Sequence, residues 1–150
     1  MADRSTRATP ADIVSLFKKI NWTGPLSEEE EKMKLVIIES PFTGDIEENV
    51  RYARAAIADS LARGEAPIAS HLLYTQPGIL DDNDPEERQW GIDAGLAWMH
   101  KADFVAVYVD RGVSSGMRSA ISYAHELDML VELRMMYDWG SFPEDDTNAR

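Results

Sequence analysis

Lys34 to Gly64 reads KLVIIESPFTGDIEENVRYARAAIADSLARG, and the order of signals inside it sets the architecture. Leu35-Val36-Ile37-Ile38 is a continuous, largely β-branched apolar run, the mark of a strand covered on both faces rather than an alternating surface strand. It stops at Glu39-Ser40-Pro41-Phe42-Thr43-Gly44, where proline and glycine punctuate the chain as a turn. Asp45 then offers a helix cap with Glu48 three residues on. Ile46, Val50, Ala53, Ile57 and Leu61 fall on one apolar stripe that closes at Arg63-Gly64. A buried strand, a glycine-containing turn and a helix follow one another.

The pattern repeats downstream. Ala66 to Ala69 is a brief apolar stretch leading into Ser70-His71-Leu72-Leu73-Tyr74-Thr75-Gln76 and the polar loop Asp81-Asp82-Asn83. Asp84-Pro85-Glu86-Glu87 is a strong helix start, with Ile92, Leu96 and Met99 expected on the buried face. Asp103 precedes Phe104-Val105-Ala106-Val107-Tyr108-Val109, the clearest buried strand. Ser114-Ser115-Gly116 opens another helix carrying Met117, Ala120, Ile121, Ala124 and Leu127 on one side, and Leu130-Val131-Glu132-Leu133 reads as the last strand. Alternation of this kind implies an α/β fold: an open, mostly parallel sheet of four or five strands with helices on both faces, flavodoxin- or Rossmann-like. The runs at Leu35, Val105 and Val131 are expected to be nearly fully buried.

Upstream, Thr9-Pro10-Ala11-Asp12 followed by Ile13, Val14, Leu16, Phe17 and Ile20 reads as a short amphipathic N-terminal helix. The expected organisation is therefore an N-terminal helix and acidic connector over 1–33, an α/β domain over 34–134, and a polar, frayed tail over 135–150.

Composition narrows the function. The chain has 150 residues, no cysteine and a formal net charge of −12. One domain is the default at this length, and disulfide, thiolate and zinc–thiolate chemistry are out of reach. The negative charge opposes a phosphate backbone and no basic stripe offsets it, so polymeric nucleic acid is not an expected partner. Neither a membrane span nor a secretory signal is visible, which gives a cytoplasmic expectation. No G-x-G-x-x-G or G-x-x-x-x-G-K-[ST] is present, and the aspartates at 81, 82 and 84 lack calcium-loop spacing. No cofactor and no metal site is expected.

In an open parallel sheet, ligands bind outside the carboxyl ends of the strands where the strand order reverses. That rule puts the turns at Ser40, His71, Asp110 to Gly116 and Arg134 on one rim. Ser114-Ser115-Gly116 joins a buried strand to a helix, so its hydroxyls and free N–H groups suit an anion, with Arg111 or Arg118 adding charge. An ordinary serine N-cap explains the same residues. His100, late in its helix, fits a C-terminal dipole partner better than a catalyst. Phe42, Tyr74 and Trp98 are aromatic groups able to stack on a flat ligand, and a core position explains Trp98 equally.

Three strings carry a family resemblance: Ser-Pro-Phe-x-Gly at Ser40 to Gly44, Ser-His-Leu-Leu-Tyr-Thr-Gln at Ser70 to Gln76, and Ser-x-Gly-Met at Ser114 to Met117. In this order, from Lys34 to Arg134, the chain resembles the nucleoside 2-deoxyribosyltransferase-like superfamily, which includes the deoxynucleoside monophosphate N-glycosidases. The resemblance implies a nucleotide or nucleoside ligand, a homodimer or higher homo-oligomer, and ligand contacts from Ser40, Pro41, Phe42, Gly44, His71, Tyr74, Asp110, Ser114, Ser115, Gly116, Met117 and Arg118. It also implies a glutamate nucleophile early in the helix after the glycine turn. Here Arg118 follows Gly116-Met117, and alignment on the downstream alanine puts Ala120 at that place. The superfamily's supporting tyrosine falls near Val36 and its aspartate at Gly95.

A carboxylate must meet the positive charge that develops at the anomeric carbon, so these departures argue for a binding domain that has lost the usual glycosidase residues. The alternative is an N-glycosidase or deoxyribosyltransferase with rearranged carboxylates, Asp93 and Glu39 being the candidates. A purely structural or partner-binding role is the third reading.

Overall fold

The computed structural model describes residues 32–141. The chain divides into two units, Met1–Lys32 and Met33–Arg150, and the second holds the α/β body. The expected N-terminal helix lies outside the described residues. Its elements are β1 (Leu35–Glu39), α1 (Ile46–Ala62), β2 (Ala66–Ile68), α2 (Ser70–Leu73), α3 (Pro85–Met99), β3 (Phe104–Tyr108), α4 (Ser115–Glu126), β4 (Val131–Arg134) and a 3-10 turn at Trp139–Ser141.

The four strands pair in the order β2-β1-β3-β4, and every pairing is parallel. This is the α/β sheet read from the sequence. Asp103 ties the two central strands at their start: its carboxylate accepts from the Leu35 N–H at 2.6 Å, and its own N–H donates to Leu35 O at 2.7 Å. Helices cover both faces. Val36, Ile38, Phe104, Ala106 and Tyr108 point to one side and pack with Tyr52 and Ala56 of α1. Ile37, Val105 and Val107 point to the other and pack with Met99 of α3 and Met117, Ala120 and Ala124 of α4. This is the two-residue alternation of a strand, applied to strands that are apolar on both sides.

The details depart from the sequence reading in four places. The buried side of α1 is the expected stripe only in part: Ala53 is buried and Ile57 packs against the core, but Asn49, Tyr52, Ala56 and Ser60 also face inward, while Ile46 and Leu61 are exposed. Small residues let this helix lie close to the sheet, and the larger aliphatics at its ends overhang the strands. The Val131 run is not nearly fully buried, because β4 is an edge strand; Leu133 is 67% exposed. The buried face of α3 reduces to Met99, with Leu96 partly buried against the core and Ile92 exposed. The C-terminal segment does not fray at Trp139. Met136 and Trp139 pack against the α1-side core, and the Trp139 ring meets Tyr52 edge-on at 5.1 Å between centroids.

Both sheet edges are short, and β2 carries Pro67, a residue that sheets tolerate at an edge because it has no ladder N–H to give. No helix among the described residues is long and apolar enough to cross a membrane.

Candidate functional site

From β1 the chain crosses to β2 on one side and then returns past β1 to β3 on the other. The strand order therefore reverses between β1 and β3, and a crevice opens beyond their carboxyl ends. A cavity of about 720 Å³ occupies it, bounded by the β1 turn, α2, α3 and the first three turns of α4.

Strand parity selects what faces it. Glu39 lies two residues after Ile37 and so shares the α3/α4 side of the sheet, and it lines the cavity with Ser40, Phe42 and Thr43. Its side chain keeps some solvent contact through the cavity, but burial pushes the carboxyl up to about 8 with no donor to oppose it. Pro41, next in the turn but one, has no N–H to offer. Ser40 Oγ and His71 Nε2 are 2.7 Å apart. The other ring nitrogen, His71 Nδ1, is buried with no hydrogen-bond partner. Burial lowers this imidazole to about 4. Burial thus favours the uncharged form of both Glu39 and His71.

Opposite this group, α4 begins. Ser114 is its N-cap and its Oγ accepts from the Met117 N–H at 3.3 Å, while its own N–H points at the Met117 sulfur at 3.4 Å. The ordinary capping reading thus holds for Ser114. Ser115, Gly116, Met117 and Arg118 continue the same wall, as does Ala120. Charged groups on the wall include the Arg88–Asp82 pair at 2.7 Å, and Arg118, which reaches Val113 O at 3.2 Å. Tyr74 also lines the cavity and accepts a hydrogen bond from Trp98 Nε1 at 3.0 Å. Among the described residues no group of three or more His, Asp or Glu is placed to hold a metal ion.

Other residues singled out from the sequence stand apart from this cavity. Asp93 is exposed on α3 and accepts from Gln89 Nε2 at 2.8 Å. Asp110 shares the parity of Tyr108 and so faces α1. There it accepts from the Tyr52 hydroxyl at 2.6 Å, from the Met136 N–H at 3.0 Å and from the Tyr137 N–H at 3.0 Å. Burial alone would raise this carboxyl, but those hydrogen bonds outweigh it and hold it below the usual carboxylate range. Arg111 donates to Asn49 Oδ1 at 2.9 Å and lies over Trp139. Arg134 is not on the rim: it is buried and donates to both carboxylate oxygens of Glu65 at 2.8 Å. Pro41 and Gly44 shape the turn without lining the cavity, Gly44 at a φ of 104° that side chains resist. Val36 faces α1. His100 is the C-cap of α3, with Nε2 2.7 Å from the Tyr123 hydroxyl.

The α3 wall was missed: Arg88, Asp82, Leu96 and Met99 all contribute to it. One signal was available. Gly91 and Gly95 stand four apart, on one helical face, and a Cβ at Gly95 would lie 2.5 Å from Ser70 Oγ and 3.1 Å from Ser70 Cβ. The glycine pair lets α2 approach α3 and puts His71 at the cavity.

A family model described as Domain of unknown function (DUF7768) matches residues 34–134, and the chain belongs to that family. A search of curated proteins finds no match. Among solved structures, a 2-deoxyribosyltransferase from the psychrotolerant bacterium Bacillus psychrosaccharolyticus is similar, with a TM-score of 0.55, 17% identity, and coverage of 67% of this chain and 72% of that one. At this identity the likeness shows a shared fold, the distant deoxyribosyltransferase-like one.

Proposed function

We propose that this member of the DUF7768 family is a cytoplasmic domain that binds a nucleoside or nucleotide in the crevice between β1 and β3 and lacks the superfamily's glutamate nucleophile. The observation that carries the reading is the cavity at the reversal of strand order, about 720 Å³ in volume. Small-molecule sites run from roughly 300 to 1,000 Å³ and combine apolar walls with a few convergent polar groups. Leu96, Met99, Met117 and Ala120 supply the apolar wall; Ser40, Glu39 and Ser115 supply polar groups. Arg118 and Ala120 both stand on the wall at the candidate nucleophile positions, and neither can attack a sugar. In this reading a 5'-phosphate sits at the start of α4, against Ser115, the Gly116 N–H and Arg118.

Calorimetric titration with nucleosides and their 5'-monophosphates tests it. Saturable binding of either, with the monophosphate tighter, is the expected result; no binding of any common ribo- or 2'-deoxy form overturns it. The chain is further proposed to act as a homodimer. Trp90 and Trp98 are each about half exposed on α3, and large aromatic side chains are enriched where protein surfaces meet. Light scattering at several concentrations decides this, and a strict monomer counts against it.

A second reading, glycosidic cleavage with rearranged carboxylates, draws on Glu39 alone. A carboxyl raised to about 8 is protonated at neutral pH, as a general acid for a leaving base must be. Chromatographic detection of free base from deoxynucleoside monophosphates, abolished in Glu39→Gln, would favour it over binding alone.

A further inference from the structure

We infer that Glu39 is the specificity-determining group of this cavity and reads the ligand as a neutral carboxylic acid, pairing its O–H and C=O with an acceptor and an adjacent donor on one edge of a nucleobase. The inference rests on the nucleoside reading above and adds which part of the ligand lies against β1, and how it is recognised.

Glu39 ends a buried strand and enters a cavity whose nearby wall includes Met99, Met117 and Ala120. No hydrogen bond or ion pair reaches its carboxyl from any described residue. The cations on the wall are committed elsewhere, Arg88 to Asp82 and Arg118 to a backbone carbonyl. His71 supplies no charge either: one ring nitrogen is engaged with Ser40, and the other has no carboxylate to stabilise a second proton. The buried side-chain atom with no hydrogen-bond partner among the described residues, His71 Nδ1, belongs to a residue lining the same cavity, and native structures keep such atoms mainly where a ligand, water or ion completes them.

The form of the group then dictates the ligand chemistry. A protonated carboxyl offers one O–H donor beside one acceptor. Its complement is a planar edge with an N–H next to a ring nitrogen or carbonyl oxygen, which every common base presents. An ionised carboxylate would need two adjacent N–H groups, found on guanine alone, and a phosphate would find no cation here. The base therefore lies against β1, and any phosphate points away, toward α4 and the arginines. The titratable groups lining the cavity with Glu39 are His71 of α2, Tyr74 just after it, Asp82 in the loop before α3, Arg88 of α3, and Arg118, Tyr123 and Glu126 of α4.

The test uses the full chain and two probes, 2'-deoxyadenosine and 2'-deoxycytidine, whose bases stay uncharged across the range. For wild type, affinity should fall by about tenfold between pH about 7 and about 9, as the acid ionises. Glu39→Gln, which keeps a donor beside an acceptor, should bind within a few-fold of wild type at the lower pH and show no such fall. Glu39→Leu should lose most of the affinity at both. Gln as weak as Leu, or wild-type binding that strengthens with pH, overturns the inference and leaves the nucleoside reading intact. No binding of any nucleoside or nucleotide by wild type removes both. The wild-type pH profile stands even if a variant fails to fold.

Discussion

The two faces of this sheet use polar residues in opposite ways at the same end of the same strands. On the α1 face no buried side-chain polar atom among the described residues lacks a partner. Asp110 takes three donors, Asn49 donates to Phe42 O at 2.9 Å and to Thr43 O at 3.1 Å, and Arg111 is held between Asn49 and Trp139. On the α3/α4 face, Glu39 and His71 Nδ1 go without partners beside an open cavity. A saturated network locks the chain; an unsaturated one holds polar capacity in reserve for a ligand. Under the proposed function, the difference separates structural carboxylates from ligand-facing ones, a distinction that a sequence rich in aspartate and glutamate does not make by itself.

The largest expected effect of breaking the comparison falls on the closed face. Arg134 joins Glu65, Glu132 and the Tyr108 hydroxyl, and Tyr108 in turn donates to Asp59 at 2.7 Å. Arg134→Ala leaves the Glu65 carboxylate without its cation, and removing one partner of a buried pair costs about 3–5 kcal/mol. Urea denaturation should show a loss of that order. A loss no larger than that of an exposed ion pair would mean the face is looser than its hydrogen bonds suggest.

The elements of the fold were legible in the residues, but this contrast between its faces was not. The strands, the β1 turn and the helix starts at Asp45, Asp84 and Ser114 were readable because each depends on neighbours in sequence: apolar runs, a proline, a capping side chain. Glu39 and Asp110 looked alike, each near the end of a buried strand. Parity assigns one to the side of Ile37 and the other to the side of Tyr108. Which side α1 covers was not legible, because both strands are apolar on both sides. Arg134 was placed on the rim because its acceptor, Glu65, is 69 residues away. The inward turn of α1 was hidden for a related reason. Tyr52, Ala53 and Ala56 bury better than the larger Ile46 and Leu61 because the helix lies close over the sheet.

A second prediction concerns pH and the open face. Between the ordinary value of 4.5 and about 8, the folded Glu39 holds a proton that the unfolded chain has released. Stability therefore falls as pH rises through that window. His71 works in the opposite sense: the unfolded ring takes up a proton below 6.5 and the folded one not until about 4, so its contribution is lost as pH falls. The two oppose one another between 4.5 and 6.5, and the Glu39 slope stands alone above that. Glu39→Gln should thus gain on wild type by about 1–2 kcal/mol more at pH about 8 than at pH about 6.5. Denaturation of both proteins at the two pH values measures it, and a constant difference would mean the carboxyl is ionised and solvated after all.

The smallest effect on stability sharpens the comparison most, because it asks whether space on the open face is slack or reserved. Gly116 sits in the first turn of α4, and a Cβ built there meets only Ser114 Oγ, at 3.9 Å. Its φ is not in the left-handed region, so alanine fits without strain, and Gly→Ala within a helix gains up to about 0.5–1 kcal/mol. Gly116→Ala should therefore leave the melting temperature unchanged or slightly raised. If the start of α4 receives a phosphate, the new methyl group stands where the anion approaches the backbone, and binding of a 5'-monophosphate should weaken while its parent nucleoside is unaffected. Gly95→Ala, by contrast, drives a Cβ into Ser70 and should disturb both ligands along with the fold. A Gly116→Ala protein that binds nucleoside and nucleotide as wild type does would leave Ser114 as a helix cap and nothing more, and would move the phosphate to Arg88 on the opposite wall.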